Sequence, residues 1–176
     1  MSNSVKQTRR EFIKVVGISG SGLILASFIP FNNVLANVGD DPKIFSPSVF
    51  LKIDSNGIVT IIFHRSEMGQ GVKTALPMLV AEELEVDWEK IIIEQSDADK
   101  KYGNQSTGGS TSVRRNWEPL RVAGATAREM LILAAAKKWN TGTSNCYAEN
   151  GFIINKSNGK KYSYGELVED AAKLPV

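Results

Sequence analysis

The segment EMGQG at residues 67–71, followed by VKTALPMLVAEELE at residues 72–85, determines how the rest of the chain is arranged. Gly69 and Gly71 lack a Cβ atom, so the backbone can adopt a positive φ there and approach a ligand closely. Behind the glycines, apolar residues recur with the i, i+3, i+4, i+7 spacing of an amphipathic helix. Because Pro77 has no N–H group, it suits a first turn, and we predict that the helix starts near Lys73 or Thr74.

This glycine loop is a candidate anion site. The unpaired N–H groups at a helix start are well suited to phosphate, Gln70 adds a donor and an acceptor, and Lys73 adds a positive charge. The third glycine of the dinucleotide-binding fingerprint is missing. Since Gly-x-Gly before a helix is also common in ordinary turns, a turn without a ligand stays open as the alternative.

The first 36 residues have the order of an export signal. A basic start with Arg9 and Arg10 precedes an apolar stretch at residues 15–31, and small residues at 34–36 offer a cleavage site. The paired arginines are typical of a twin-arginine signal, which predicts a periplasmic protein exported in the folded state. We expect membrane association if the signal stays uncleaved. A spanning anchor is the alternative, which the glycines and serines of the stretch disfavour.

The rest of the chain is not basic. Beyond residue 36 it holds 17 basic and 18 acidic residues, which excludes a broad cationic surface for nucleic acid. Residues 37–48 include Pro42 and Pro47 and are predicted to be a linker, and residues 49–176 are predicted to be one folded domain. The single His64 and the single Cys146 provide no metal-ligand set, no disulfide within the chain and no catalytic triad.

The element order predicts an α+β fold of mixed layers. Strands at 50–54 and 58–63 flank an Asn-Gly turn and lead into the glycine loop, and three isoleucines at 91–93 predict a buried strand. Pro119 in the next helix predicts either a start near Asn116 or a kink there, and Gly124 predicts a close helix contact. The remaining expectations are a helix at 113–139, a loop at 140–145, strands at 147–155 and 160–164 with Asn-Gly turns at 150–151 and 158–159, and a short helix at 165–174.

A second polar, glycine-rich loop occupies residues 97–112. Its final segment, Gly108-Gly109-Ser110-Thr111-Ser112, is a second candidate anion cradle because it offers free N–H groups and hydroxyl donors. The equally open alternative is a flexible loop in which Ser110 or Ser112 caps the next helix. Arg114 and Arg115 follow directly, and at this stage we favour a solvated surface or an ion pair for them over an anion ligand.

Four stretches carry a family resemblance in their order and spacing. Residues 66–84, 102–113 (YGNQSTGGSTSV), 117–121 (WEPLR) and 164–167 (YGEL) resemble the N-terminal part of isoquinoline 1-oxidoreductase beta subunits. These are molybdenum-binding large subunits of the xanthine oxidase, or molybdenum hydroxylase, family. The resemblance implies that the two loops hold the pterin and phosphates of the molybdenum cofactor, through Gly69, Gln70 and Gly71 and through Gly109, Ser110, Thr111 and Ser112. In this family the pterin's sulfurs, and not protein thiolates, hold the metal.

The resemblance also implies the reaction and the partners. Such enzymes hydroxylate a carbon beside a heterocyclic nitrogen, or an aldehyde carbon, with oxygen from water, and a partner subunit with iron–sulfur clusters accepts the electrons. The family's catalytic glutamate belongs to a much later stretch, so no catalytic residue is assigned, and Glu67, Glu82 and Glu83 lie outside that motif. We therefore expect the leading piece of a larger subunit, which needs the remainder of that subunit.

Several points stay open from the sequence. The substrate is not determined, and the cofactor is either the plain form or the form joined to cytidine. Two other functions also remain: a small exported module that binds a phosphorylated ligand, and an inactive truncated remnant.

Overall fold

The computed structural model of the chain describes residues 44–175. Helices and strands are mixed along this range, which confirms the predicted α+β class. The elements are β1 Ile44–Ser48, β2 Leu51–Asp54, β3 Val59–Phe63, α1 Val72–Leu84, β4 Ile91–Gln95, α2 Ser112–Trp139, β5 Cys146–Glu149, β6 Phe152–Asn155, β7 Lys161–Ser163 and α3 Tyr164–Ala172. Short 3-10 turns occupy Trp88–Lys90, Lys100–Tyr102 and Thr143–Asn145.

The larger sheet has the strand order β1-β2-β3-β4. The first three strands are antiparallel neighbours, whereas β4 pairs parallel to β3. Parallel neighbours need a crossover, and α1 supplies it. The loops that follow β3 and β4 therefore leave the sheet at the same edge, which is where ligands bind in sheets of this kind. This topology brings the two predicted loops to one end of the fold.

One face of this sheet forms the core with the helices. Leu51 lies opposite Ile61 and Ile53 opposite Val59, and all four are buried, while Lys52 points to the other face and is exposed. The helices contribute apolar side chains to the same core. These are Leu76, Val80 and Leu84 of α1, Leu120, Ala127 and Leu131 of α2, and Leu167, Val168 and Ala171 of α3.

Helices α1 and α2 approach each other closely at Gly124. A Cβ atom on Gly124 would lie 2.5 Å from the carbonyl oxygen of Val80 and 3.0 Å from Cβ of Glu83. Only a residue without a side chain fits this crossing. The structure thus confirms the close helix contact that the sequence predicts at this glycine.

The smaller sheet, β5-β6-β7, is antiparallel and leads into α3. A capping box starts α3, in which the N–H of Ser163 donates to the carboxylate of Glu166 at 2.8 Å. The hydroxyl of Tyr164 donates to the carbonyl of Leu84, and the N–H of Gly151 donates to the carbonyl of Glu85 at 2.8 Å. These contacts fix the small sheet against the end of α1.

The predicted linker at residues 37–48 is wrong for its last five residues, which form β1. Phe45 is 2% exposed and lies opposite Ile53. Pro47 is tolerated because β1 is an edge strand, and its register is irregular between Phe45 and Ser48. Residues 37–43 and the predicted export signal lie outside the described residues.

The isoleucine run forms the expected strand, and Ile91 and Ile93 pack against the core, but the strand is only partly buried. β4 is the other edge of the sheet and pairs only with β3. Ile92 lies beside Thr60, on the face opposite the core, and its side chain is 51% exposed. An apolar run indicates burial only when both faces of a strand are covered.

Both helices begin earlier than their prolines indicate. α1 starts at Val72 after Gly71, whose φ of 80° makes it the N-terminal cap, so Pro77 lies in the second turn. α2 starts at Ser112 and continues through Pro119, so a start near Asn116 is wrong. A proline removes one helical hydrogen bond, and the flanking turns maintain the helix in both cases.

Candidate functional site

The loops after β3 and β4 are hydrogen-bonded to each other. The N–H of Ser66 in loop 1 (residues 64–71) donates to Oγ1 of Thr107 in loop 2 (residues 96–111) at 2.9 Å. Nη1 of Arg65 donates to Oδ1 of Asn104 at 3.3 Å and also to the carbonyl of Ser106. The two stretches singled out from the sequence therefore form one structural unit.

The first half of loop 2 is shaped by Gln105. Its amide nitrogen donates to the hydroxyl of Ser96 at 2.8 Å and to the carbonyl of Asp97 at 2.7 Å. Its amide oxygen accepts the N–H of Asp99 at 3.0 Å. These three bonds give the first half of the long loop a defined path.

Loop 1 contains an anion of its own. Oε1 of Glu67 accepts the N–H groups of Gly69 at 2.7 Å and Gly71 at 3.1 Å, and Oε2 accepts the N–H of Lys73 at 2.8 Å. The bond from Lys73 is the main reason that the pKa of Glu67 lies below its ordinary value, and the glycine N–H groups add to the effect. The donors that the sequence offers to an external anion are thus paired inside the chain.

The side chain of Gln70 also has internal partners. Its oxygen accepts the N–H of Met68 at 2.6 Å, and its nitrogen donates to the carbonyl of Ser66 at 2.8 Å. Gly69 and Gly71 have φ values of 96° and 80°, and no atom of the described residues lies within 4 Å of the position of a Cβ on either one. Loop 1 therefore has a fixed shape and leaves open space in front of both glycines.

The second half of loop 2 is built differently. Gly109 and Ser110 have φ values of 58° and 53°, so two successive residues are left-handed. The hydroxyl of Thr111 donates to the carbonyl of Gly108 at 2.7 Å, and Thr111 provides no side-chain cap for α2. The cap predicted as an alternative for Ser110 or Ser112 is likewise not formed, because neither hydroxyl bonds to a backbone group in residues 44–175.

The start of α2 keeps its backbone donors free. Within the described range, the N–H groups of Ser112, Val113 and Arg114 have no hydrogen-bond partner. The first turn holds no acidic residue. An anion at this point would be stabilised by the unpaired donors and by the positive end of the helix dipole. Among the described residues, this cradle offers a row of three free donors, whereas Glu67 pairs those of Gly69, Gly71 and Lys73 in loop 1.

Two residues directly after β3 are buried beneath the loops. His64 and Arg65 are each 2% exposed. Nε2 of His64 lies 3.0 Å from Oδ1 of Asn116, an atom that can only accept, so the hydrogen of the neutral ring is on Nε2. Burial, and then the charge of Arg65, lower the pKa of His64, so the ring is neutral at pH 7. In the described part of the chain, Nδ1 of His64 and Nε of Arg65 lack partners.

Sequence analysis missed the structural roles of Arg65 and Glu67. Glu67 could have been found, because an acidic residue just before a glycine turn is placed to cap its N–H groups. Arg65 had no comparable signal, since a charged residue after a strand is ordinarily at the surface. Glu83, which the family motif left without a role, pairs with Arg121 and with Arg128.

Between residues 44 and 175, no group of three or more His, Cys, Asp or Glu side chains is placed to hold a metal ion. Within that range, too, no helix has the length and apolar character to cross a bilayer. Cys146 is buried at the start of β5, and burial raises the pKa of its thiol.

The sequence matches a family of known proteins over almost its whole length. The family model described as "Molybdopterin cofactor-binding domain" matches residues 2–175. Isoquinoline 1-oxidoreductase subunit beta of Brevundimonas diminuta is 35% identical over 178 residues, which cover 94% of this chain and 22% of that protein. Membrane-bound aldehyde dehydrogenase (pyrroloquinoline-quinone) of Gluconacetobacter polyoxogenes is 34% identical over 143 residues, covering 75% of this chain and 18% of that protein. The resemblance found in the sequence is confirmed.

Solved structures share the fold. Quinoline 2-oxidoreductase from Pseudomonas putida 86 superposes with a TM-score of 0.54 at 21% identity, covering 71% of this chain and 16% of that one. Reconstituted CO dehydrogenase from Oligotropha carboxidovorans gives a TM-score of 0.58 at 22% identity, covering 66% and 15%. This chain spans about a fifth of the length of the relatives that it matches.

Proposed function

Because the chain belongs to the molybdopterin cofactor-binding domain family, we propose that its two loops hold the molybdenum cofactor. Loop 1 contributes Gly69, Gln70 and Gly71 to the pterin. Loop 2 and the start of α2 contribute Gly109, Ser110, Thr111 and Ser112 to the phosphate. The observation that carries the proposal is the row of unpaired N–H groups at the start of α2, in a loop hydrogen-bonded to loop 1.

The residues present fit this group. The open space at Gly69 and Gly71 lets a flat ring approach the backbone, which a Cβ at either position would obstruct. Loop 2 supplies hydroxyl and N–H donors for phosphate oxygens. The one cysteine, Cys146, is buried in β5 outside both loops, and the metal is then held through the pterin's sulfurs rather than through this chain.

We further propose that the chain acts as part of a molybdenum hydroxylase large subunit. When bound, the cofactor supplies oxidation of a carbon beside a heterocyclic nitrogen, or of an aldehyde carbon, with oxygen from water. The chain's own residues bind and orient the cofactor, and we assign none of them to catalysis. The remainder of the subunit and a small iron–sulfur subunit complete the enzyme. The cofactor has either the plain or the cytosine dinucleotide form.

We also propose that the protein acts in the periplasm. The paired arginines at residues 9 and 10, ahead of an apolar stretch, support export by the twin-arginine route. That route carries folded proteins, which is consistent with a protein that acquires its cofactor before export. An uncleaved signal would keep the protein at the membrane.

A retention experiment tests the cofactor proposal. The 176-residue chain is incubated with molybdopterin and desalted, and the retained pterin is released, oxidised and measured by its fluorescence. We expect retention by the wild-type chain and a loss of about tenfold in Gly109→Val, because a side chain at φ 58° distorts the turn before α2.

A matched control separates binding from backbone strain. Gly159→Val introduces the same residue at a φ of 69°, in the turn between β6 and β7, far along the chain from both loops. It should retain pterin like the wild type. If the wild-type chain retains no more pterin than a denatured sample, the cofactor proposal is wrong for this chain.

A further inference from the structure

Arg65 is a buried cation whose charge has no counter-charge. Its side chain is 2% exposed, yet within residues 44–175 it forms no ion pair with any carboxylate. Its hydrogen bonds go to two neutral oxygens of loop 2, Oδ1 of Asn104 and the carbonyl of Ser106. Its Nε is buried and finds no partner in the described part of the chain. A buried charge left in this state is costly unless an anion compensates it.

A second cation lies near the first. His64, next to Arg65, is hydrogen-bonded to Asn116, next to Arg115, and this bond holds the first turn of α2 against the end of β3. Burial, and then the charge of Arg115, lower the pKa of Arg65, as expected for two guanidinium groups that share one region. Among the described residues, Arg115 has no carboxylate partner either, and it is exposed, so of the two alternatives favoured from the sequence the solvated surface applies and the ion pair does not.

The same turn of α2 carries the unpaired backbone donors. Arg115 follows Ser112, Val113 and Arg114, whose N–H groups are free in the described structure. Two guanidinium groups therefore lie near a helix start whose first turn carries no acidic residue. A phosphate carries about −1.5 to −2 charges and three acceptor oxygens, which balances two cations better than a single carboxylate does.

We propose that Arg65 and Arg115 together bind a phosphate group at the start of α2. The identity of that phosphate rests on the proposed function, under which it belongs to the cofactor. Arg65 acts from beneath the loop through its fork of donors, and Arg115 acts from the exposed side of the helix. Loop 1 cannot take this role with its present bonds, because the carboxylate of Glu67 already occupies its N–H groups.

Calorimetric titration with inorganic phosphate and pyrophosphate, at constant ionic strength, tests the proposal on the 176-residue chain. We expect saturable binding by the wild type and an affinity about tenfold or more lower in Arg115→Gln, because a charge-assisted bidentate contact is lost. Arg115 is exposed, so this variant should fold. Arg65→Lys keeps the charge at the buried position but loses the planar fork, and it should also bind more weakly.

Lys137→Gln is the matched control. It removes one positive charge from an exposed position in the last turn of the same helix, away from the residues assigned to the site. Its affinity for pyrophosphate should stay within about twofold of the wild type. Equal losses in Lys137→Gln and Arg115→Gln would show a net-charge effect, and unsaturable wild-type binding would mean that no phosphate site exists. Either result overturns the proposal.

The two proposals fail separately. If the chain retains molybdopterin while Arg115→Gln and Arg65→Lys bind pyrophosphate like the wild type, the arginine site is wrong and the cofactor function stands. If pyrophosphate binding depends on Arg115 but molybdopterin is not retained, the phosphate site stands and its ligand is a free phosphate compound.

Discussion

The backbone N–H of Lys73 donates to the carboxylate of Glu67 at 2.8 Å, across the turn that opens α1. This bond places a negative charge at the positive end of the helix, where an external anion was expected. The start of α2 has no such internal anion. The two glycine loops look alike in sequence, but in the described structure the second keeps a row of three free donors for a phosphate, whereas Glu67 pairs most of those in the first.

The Glu67 bonds should appear as an acid transition of loop 1. The folded-state pKa of Glu67 is depressed, so its contribution to loop order is present above the unfolded pKa of about 4.3 and is lost as the pH falls through the folded value. NMR titration should give a Glu67 pKa below the ordinary range. Glu67→Ala should speed amide exchange at Gly69, Gly71 and Lys73 at neutral pH.

Glu82→Ala is the matched control for that experiment. Glu82 is an exposed carboxylate of the same helix, and its side chain has no part in the turn. Exchange at the three amides should be unchanged in this variant. An unaltered exchange rate in Glu67→Ala would show that the carboxylate does not order the loop.

Gly71→Val should damage binding more than folding. The position of a Cβ on Gly71 is open, so the substitution causes no clash, but a φ of 80° costs a non-glycine residue about 1–2 kcal/mol. We expect a free energy of unfolding lower by that amount, together with loss of pterin retention. Denaturant unfolding and the pterin assay measure the two effects, and full pterin retention would rule out a close approach of the ring to Gly71.

Gly124→Val should destabilise the packing of α1 against α2. The new Cβ would meet the carbonyl oxygen of Val80 at 2.5 Å, and backbone atoms cannot rotate away as a side chain can. Overpacking of this kind costs about 1–3 kcal/mol, measured as a lower midpoint of urea unfolding. Gly108→Val has open space and an ordinary φ and should unfold close to the wild type. Equal midpoints for the two variants would show that the helix crossing tolerates a side chain.

Tyr164→Phe isolates the bond between α3 and the end of α1. The Tyr164 hydroxyl is buried against the carbonyl of Leu84, and burial is the main reason that its pKa is raised above the ordinary value. Removing it should cost about 0.5–1.5 kcal/mol in the free energy of unfolding. Tyr147→Phe removes a hydroxyl from a side chain that is 39% exposed and should have little effect. If Tyr164→Phe is as stable as the wild type, the bond contributes no net stability.

Local patterns predicted most of the elements correctly. The Asn-Gly turn between β2 and β3, the apolar spacing of α1 and the long apolar repeat of α2 depend on neighbouring residues, so the sequence contains their cause. The burial of the isoleucine run at β4 was mispredicted, and β1, with its proline, was predicted to be part of a linker. Their burial depends on which strand lies at the edge of the sheet, and that is a property of the assembled sheet rather than of either segment.

By itself, the sequence determined the α+β class, the two glycine loops and the family. Glycines, turn residues and apolar periodicity shape the backbone over a few residues. The family is recognised because its motifs keep the same order along the chain. Only the tertiary structure decided that the carboxylate of Glu67 pairs the N–H groups at the start of α1, that the N–H groups at the start of α2 stay free, and that Arg65 is buried close to Arg115. These facts arise because the parallel pairing of β3 with β4 brings residues about 40 to 50 positions apart to one edge of the sheet, and pairings over that distance leave no local pattern.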